Sequence, residues 1–416
     1  MKEITMPKWG WMVLIFPYFK PAVFGVLEGT ELLETGFDLW RLLSAVVIFG
    51  MYLWQMVFRR RKPSGVMLGL TVYLGAIGLS TLMHQNTLWS ILNYVVTILT
   101  FCMLLELSIR EGPETTMDML VLPLTVLVLA NFILMCIYPT ALCTGGAYNY
   151  RYNFLGIDNF LAPILVPYMF LVALRSSMKT GGLDLFAYAM LVVSAISIML
   201  IWAATGLMGT AVALVFLLCF YQRRLQTLFN FSTTMLLAFG LFYCVVVFRL
   251  QDLFAFFIEG VLHKGLSFTG RTDIWDEAIA MFLLSPFLGY GYTSTGKVYR
   301  LVKGKYYHAH NAFLEILVEG GLGAMMGYLF MLERAGKQLL VYRKHDYACL
   351  ISAGLMASFL MMSMESYLDS NGLLIYALIF LGYHVGTLIH GQETAPAGAA
   401  RALIGPEGAF PQEEET

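Results

Sequence analysis

Charge is what this sequence has least of. Only 13% of its 416 residues are Asp, Glu, Lys or Arg, while 59% are hydrophobic and the mean hydropathy is +0.72. A soluble domain carries roughly 25% charged residues, so too little polar surface is left to keep a chain of this size in water. An excess of basic residues is also missing. The net charge of −1 excludes the basic face that a nucleic-acid binder presents. Cysteine is sparse, and of Cys102, Cys136, Cys143, Cys219, Cys244 and Cys349 only Cys143 falls in a predicted loop. No disulfide framework follows from that pattern. No cleavable leader stands out: Lys20-Pro21 interrupts the first apolar run, and no small-residue cleavage site follows it. There is no internal repeat.

What is present is a series of apolar runs. A membrane-crossing helix needs about 20 mostly apolar residues to span roughly 30 Å of hydrocarbon. Twelve runs qualify, near 9–27, 39–58, 65–83, 88–106, 118–138, 158–174, 183–203, 207–222, 226–248, 312–332, 347–364 and 372–390. The predicted fold is therefore an all-α polytopic membrane protein of about twelve transmembrane helices. Basic residues follow the even-numbered runs: Arg59 to Lys62, Arg175 and Lys179, Arg223 and Arg224, then Arg334, Lys337, Arg343 and Lys344. The bias of Lys and Arg toward the cytoplasm puts these ends, and both termini, inside. The acidic stretch 107–117 is an exception on that side. Residues 1–391 form one transmembrane domain. Residues 392–416, rich in Ala, Gly, Pro and Glu, read as a disordered cytoplasmic tail.

This topology leaves two longer loops outside, at about 139–157 and 249–309. The second carries seven bases against five acids, the reverse of the usual bias. Long loops cross membranes whatever their charge; alternatively, a basic outer loop meets an anion.

Four features of these loops bear chemistry. Arg271 precedes a helix start capped by Thr272 or Asp273, with Asp276 and Glu277 in the first turn and a stop at Ser285-Pro286. A guanidinium beside free helix N–H groups suits a phosphate; the bland alternative is pairing with Asp273 or Asp276. The run Phe287-Leu288-Gly289-Tyr290-Gly291-Tyr292 reads as a chain reversal with an aromatic wall at Tyr290, since a nucleotide loop would need a strand–loop–helix setting. Next comes His308-Ala309-His310-Asn311. Asn311 can cap the following helix, and a neutral imidazole at His310 can take a proton from a hydroxyl, with His308 in reserve. Glu315 and Glu319 share one face below Asn311 and can orient His310; equally, all of these can be ordinary helix-start residues. The His-x-His pair gives no further metal ligand at a recognisable spacing. Finally, Tyr148 to Phe154 set Arg151 among aromatic rings, Tyr150 included, where rings can stack on sugars and the guanidinium can hold phosphate. The alternative there is an interfacial aromatic belt.

In this order, the features resemble the O-antigen ligase and O-antigen polymerase superfamily of bacterial membrane glycosyltransferases. The resemblance rests on Gly270-Arg271-x-x-x-Trp275, Pro286 with Gly289-Tyr290-Gly291, and His310-Asn311 with Gly321 after a gap of nine residues; Arg151, Gly156 and Asn159 match more weakly. Two departures stand out. Thr205-Gly206-Leu207-Met208-Gly209 lacks the arginine that members often carry in a middle span, and Ala324 replaces a second glycine. The resemblance implies a GT-C-like glycosyltransferase of the bacterial inner membrane that works without metal or other cofactor. The donor would be an oligosaccharide on undecaprenyl diphosphate. His310 would be the base, Arg271 and Arg151 would hold the diphosphate, and His308, Asn311, Glu315, Glu319, Tyr290 and Tyr150 would contact substrate in an external catalytic loop, 249–309. A flippase and a chain-length regulator would be partner proteins, besides membrane lipid. The reading adopted from sequence is a polymerase of lipid-linked repeat units, for capsule or O-antigen. The alternatives are a ligase moving the glycan to a different acceptor, and a lipid-linked oligosaccharide flippase. Polar groups gathered in an outer loop rather than at the bilayer midplane favour an enzyme over a transporter.

Overall fold

A computed structural model describes residues 6–84, 88–145, 150–220, 222–248, 271–292 and 308–393. Fifteen helices run through these segments. They are α1 (Lys8–Ile15), α2 (Glu31–Phe58), α3 (Gly65–Met83), α4 (Leu88–Glu111), α5 (Pro113–Ile137), α6 (Asp158–Thr180), α7 (Leu185–Ile201), α8 (Ala204–Cys219), α9 (Arg223–Gln226), α10 (Phe231–Leu241), α11 (Arg271–Leu284), α12 (Ala312–Val341), α13 (Asp346–Met362), α14 (Leu373–Tyr383) and α15 (Val385–Glu393). One short antiparallel hairpin pairs β1 (Cys143–Gly145) with β2 (Tyr150–Tyr152), setting Thr144 opposite Arg151. The disordered tail predicted at 392–416 lies almost wholly outside the described residues.

The expectation of about twelve transmembrane helices is overturned. Among the described residues six helices, α2 to α6 and α12, are long and apolar enough to cross a membrane, and a seventh counts if the pair bent by 64° at Tyr383–Val385 is one span. The reasons are local. Pro17 and Lys20-Pro21 split the run 9–27 into eight-residue α1 and two 3-10 turns, Phe16–Phe19 and Ala22–Gly25. Trp202, in a left-handed conformation, separates α7 from α8, which have 17 and 16 residues. At about 1.5 Å per residue, such helices fall short of roughly 30 Å of hydrocarbon. The run 226–248 becomes α10 followed by a π-helical stretch, Phe242–Val247. Helix α13 stops after 17 residues. Hydropathy measured these runs correctly but did not see where their backbones break.

Helix α6 marks the two ends of the bundle. At its C-terminal end, Arg175 and Lys179 reach the buried Asp118 at 2.8 and 2.9 Å, and Lys8 joins them at 3.2 Å. Close by in the sequence of contacts, buried Glu106 accepts from Ser64 N–H at 3.0 Å and from Tyr52 at 3.1 Å and pairs with Arg110, which also donates to the Lys62 carbonyl. The acidic stretch that broke the charge rule is thus bounded by the two carboxylates that neutralise the basic residues around it. Burying those acids is tolerable only because each is paired and hydrogen-bonded. The opposite, N-terminal end of α6 carries Asn159, which belongs to the site described below.

Helices α3 and α12 meet backbone to backbone. A Cβ added at Gly327 would stand 2.4 Å from the Tyr73 nitrogen, and one at Gly69 would stand 2.8 Å from the Met331 nitrogen. Small residues at a crossing let membrane helices approach this closely and gain dispersion contacts. Gly327→Val is therefore expected to lower stability by about 1–3 kcal/mol through overpacking. The check is the apparent melting temperature in detergent, with lipid-facing Met326→Val as control; equal melting of the two would refute the contact.

Candidate functional site

The segment after α13 carries Glu365, a carboxylate with only 2% of its side chain exposed. Three elements distant in sequence converge on it. Arg271, the first residue of α11, places a guanidinium nitrogen 3.2 Å from Oε2. His310, just before α12, donates from Nδ1 to Oε1 at 2.9 Å. Asn159, in the first turn of α6, donates to Oε2 at 3.4 Å. The N–H of Ser366 adds a fourth donor at 3.2 Å. His308 packs its ring on His310, with centroids 3.9 Å apart, and its Nδ1 lies 3.5 Å from Oε1.

Local sequence explains each placement. Asn311 is the N-cap of α12: its side-chain oxygen accepts from the N–H groups of Phe313 and Leu314 at 3.0 and 3.1 Å. Its amide donates to the Ser363 carbonyl at 2.8 Å, which fixes the strand of chain leading to Glu365. Between cap and cluster, His310 holds φ at 47°, a conformation uncommon for a residue with a side chain. Arg271 is held by its helix. Trp275, one turn on, is fully buried and packs with Ala309, Leu314 and Val318, so α11 lies against α12 with Arg271 on the cluster side.

The glycines of the sequence pattern lock the backbone. Helix α12 kinks at Gly321 (φ 60°, ψ −158°). This frees the carbonyls of Val318 and Glu319, which accept from Tyr290 N–H and Gly291 N–H at 2.8 Å each, while Leu322 N–H donates to the Pro286 carbonyl at 2.7 Å. A Cβ on Gly289 would stand 2.5 Å from the Val318 oxygen, and one on Gly321 would stand 2.5 Å from the Phe287 carbonyl carbon. Positive φ at both positions also favours glycine. The turn after α11 is thereby fastened to α12.

The charges are coupled. Burial opposes ionisation of Glu365, but the His310 hydrogen bond and the nearby His310, His308 and Arg271 charges outweigh it and hold the carboxyl below its ordinary value. Burial, together with the positive neighbours His310 and Arg271, pushes His308 down to about 4 against the opposing pull of Glu365.

The structure thus brings His308, His310, Arg271 and Asn311 together. Glu315 is buried nearby, accepting from the Ala309 N–H. Glu319 is buried in α12, and its backbone carries the turn. The Tyr290 ring lies 5.8 Å from that of His84. Arg151 and Tyr150 stand exposed on β2; their hairpin runs through the Tyr152–Ile157 bridge into Asn159, which is its described link to the cluster. Most of the predicted outer loop 249–309 falls outside the described residues.

Sequence reasoning missed Glu365. Its signal was an acid closing an apolar run, where an ionisable residue at membrane depth marks a functional site by default. Spacing also gave no sign that Glu365 completes a donor set: His308, His310 and Glu365 offer atoms within 4.8 Å of one another. A cation there would face the Arg271 guanidinium, which already holds Oε2.

These features define a multi-pass membrane protein with a hydrogen-bonded histidine–carboxylate–arginine centre at one end of its bundle. Residues 189–329, about a third of the chain, match the family model described as O-antigen ligase. That stretch is similar to the O-antigen ligase family, and the similarity supports an enzymatic role in polysaccharide assembly. The matched stretch takes in Arg271, Trp275, His310 and Gly321 and leaves out Arg151, Asn159 and Glu365. No curated protein matches the chain.

A depressed carboxyl stabilises the fold above the ordinary carboxylate range of about 4, and that contribution disappears as pH falls through its lower folded value. Glu365→Gln is expected to cost about 1–3 kcal/mol at neutral pH, by leaving Arg271 without its counter-charge. It should also flatten the loss of stability on acidification. Thermal melting of the detergent-purified protein between neutral and acid pH checks both; an unchanged profile would show that the pairing contributes nothing.

Proposed function

We propose that the protein transfers a glycan from a lipid diphosphate onto an acceptor hydroxyl, as a ligase. The His310–Glu365 pair carries this reading. With its Nδ1 proton on a buried carboxylate, His310 is the tautomer whose Nε2 has a free lone pair. That is the arrangement of a general base oriented and electrostatically supported by an acid. In the step proposed, the acceptor oxygen bonds to the anomeric carbon and its proton passes to His310 Nε2. The bond from the anomeric carbon to phosphate breaks, and the diphosphate leaves as an anion on its lipid. Arg271 stabilises the charge developing on that leaving group, as does Arg151 if its hairpin closes over the substrate.

The family description favours the ligase reading over the polymerase reading suggested by sequence, and an enzymatic family counts against a flippase. Both transferases use the same donor, so the acceptor separates them. The positive-inside rule supports an external site: the cluster lies at the end of the bundle opposite Lys8, Arg175 and Lys179.

An apolar cavity supports a lipid-linked donor. It measures about 420 Å³, lies between α2 and α4, and has Leu42, Ala45, Leu92 and Val96 in its wall. Arg41 also lines a second cavity of about 170 Å³, which reaches Ser370 and Asn371, in the same connecting segment as Glu365. We assign the first cavity to the lipid chain of the donor. Ala45→Trp is then expected to raise KM for a lipid-linked donor several-fold while leaving kcat nearly intact; unchanged KM would remove the assignment.

The main test supplies purified lipid-linked oligosaccharide with candidate acceptors. His310→Ala is expected to abolish transfer in protein that still inserts and folds. Arg271→Lys should recover little activity, because a point charge does not reproduce guanidinium geometry. Transfer of single glycans to a different acceptor supports a ligase, whereas a ladder of repeats indicates a polymerase. Full activity of His310→Ala would end the catalytic proposal.

A further inference from the structure

His308 has no assigned chemistry beyond closeness to His310, and the hydrogen bonds around it give one. The backbone N–H of His310 donates to His308 Nδ1 at 3.3 Å. A ring nitrogen that accepts an N–H carries a lone pair, so in neutral His308 the proton sits on Nε2. His310 is the opposite case, with its proton on Nδ1 and facing Glu365 Oε1. The contact between His308 Nδ1 and Glu365, at 3.5 Å, is longer than a hydrogen bond and is an ion pair only if the ring is protonated. Both rings are about one-third exposed, at 32% and 30%, over a carboxylate that is 2% exposed. Both rings make their hydrogen bonds at the Nδ1 edge, so the Nε2 edges are the ones left to meet substrate in the step proposed.

We infer that the two histidines hold opposite neutral tautomers and divide the chemistry: His310 accepts at Nε2, and His308 donates its Nε2–H to an anionic oxygen of the substrate. The oxygen meant is one on the diphosphate, beside the Arg271 guanidinium. The inference rests on the reaction proposed above. It also removes His308 as a reserve base, since its Nδ1 lone pair is occupied by the His310 N–H. The depressed affinity of His308 for a second proton agrees with a ring that stays neutral well below pH 7. A neutral donor has an advantage here: it stabilises the leaving group without placing a second cation against His310, which must itself take up a proton.

Two measurements test this. The first does not depend on activity. In protein labelled with 13C and 15N at histidine, the signals lost in His308→Gln identify His308, and their chemical shifts report which nitrogen is protonated. Protonation at Nε2 is expected; protonation at Nδ1 overturns the inference even if the transfer reaction is as proposed. The second is the pH dependence of transfer from a polyprenyl-diphosphate-linked oligosaccharide. Loss of one hydrogen bond to a charged group corresponds to about a 10- to 100-fold fall in rate. His308→Ala is expected to show that fall while keeping the wild-type acid limb, and His308→Gln, which retains an N–H donor, should recover part of it. A His308→Ala enzyme that has lost the acid limb would make His308 the base and overturn the inference.

Discussion

One buried carboxylate organises this end of the molecule. Glu365 is almost fully removed from solvent, and an isolated charge in that position would be prohibitively costly. It is tolerated because its oxygens are occupied by a guanidinium, an imidazole, an amide and a backbone N–H. Those donors come from α6, α11, the start of α12 and the segment after α13. Satisfying one charge therefore aligns four parts of the chain, and the same contacts that secure the fold set the tautomer of His310.

The backbone interlock at Gly289 and Gly321 serves the same end by different means. A kink in α12 exposes two carbonyls, and the turn after α11 fills them. Side chains larger than hydrogen do not fit at either glycine. With Trp275 buried at the α11–α12 contact, the helix that carries Arg271 has little freedom to drift from the histidines. Positioning of this kind matters for catalysis, because a misplaced group loses much of its effect over small distances.

The opposite end of the bundle uses acids in another way. Asp118 gathers cations, Lys8, Arg175 and Lys179, whereas Glu106 gathers the hydroxyls of Tyr52 and Ser64 and pairs with Arg110 on its own helix, with no histidine among the described partners of either. The two ends thus share the use of buried carboxylates but differ in chemistry: of these three acids, only Glu365 meets imidazoles among the described residues.

Sequence alone determined the membrane class, because 13% charge does not solvate a chain of this length. It also picked out Arg271, His310 and the Asn311 cap, since capping and helix-terminus chemistry depend on neighbours a few residues away. The glycine-rich turn was legible as a reversal for the same reason. Span number was not, because hydropathy counts apolar residues and is blind to a π-helical stretch, a left-handed Trp202 or a bend at His384. Nor was Glu365 tied to the site: 55 residues separate it from His310, 94 from Arg271 and 206 from Asn159. Only packing of the helices decides which distant donor meets a buried charge, and that meeting sets His310 against Glu365 with His308 beside it.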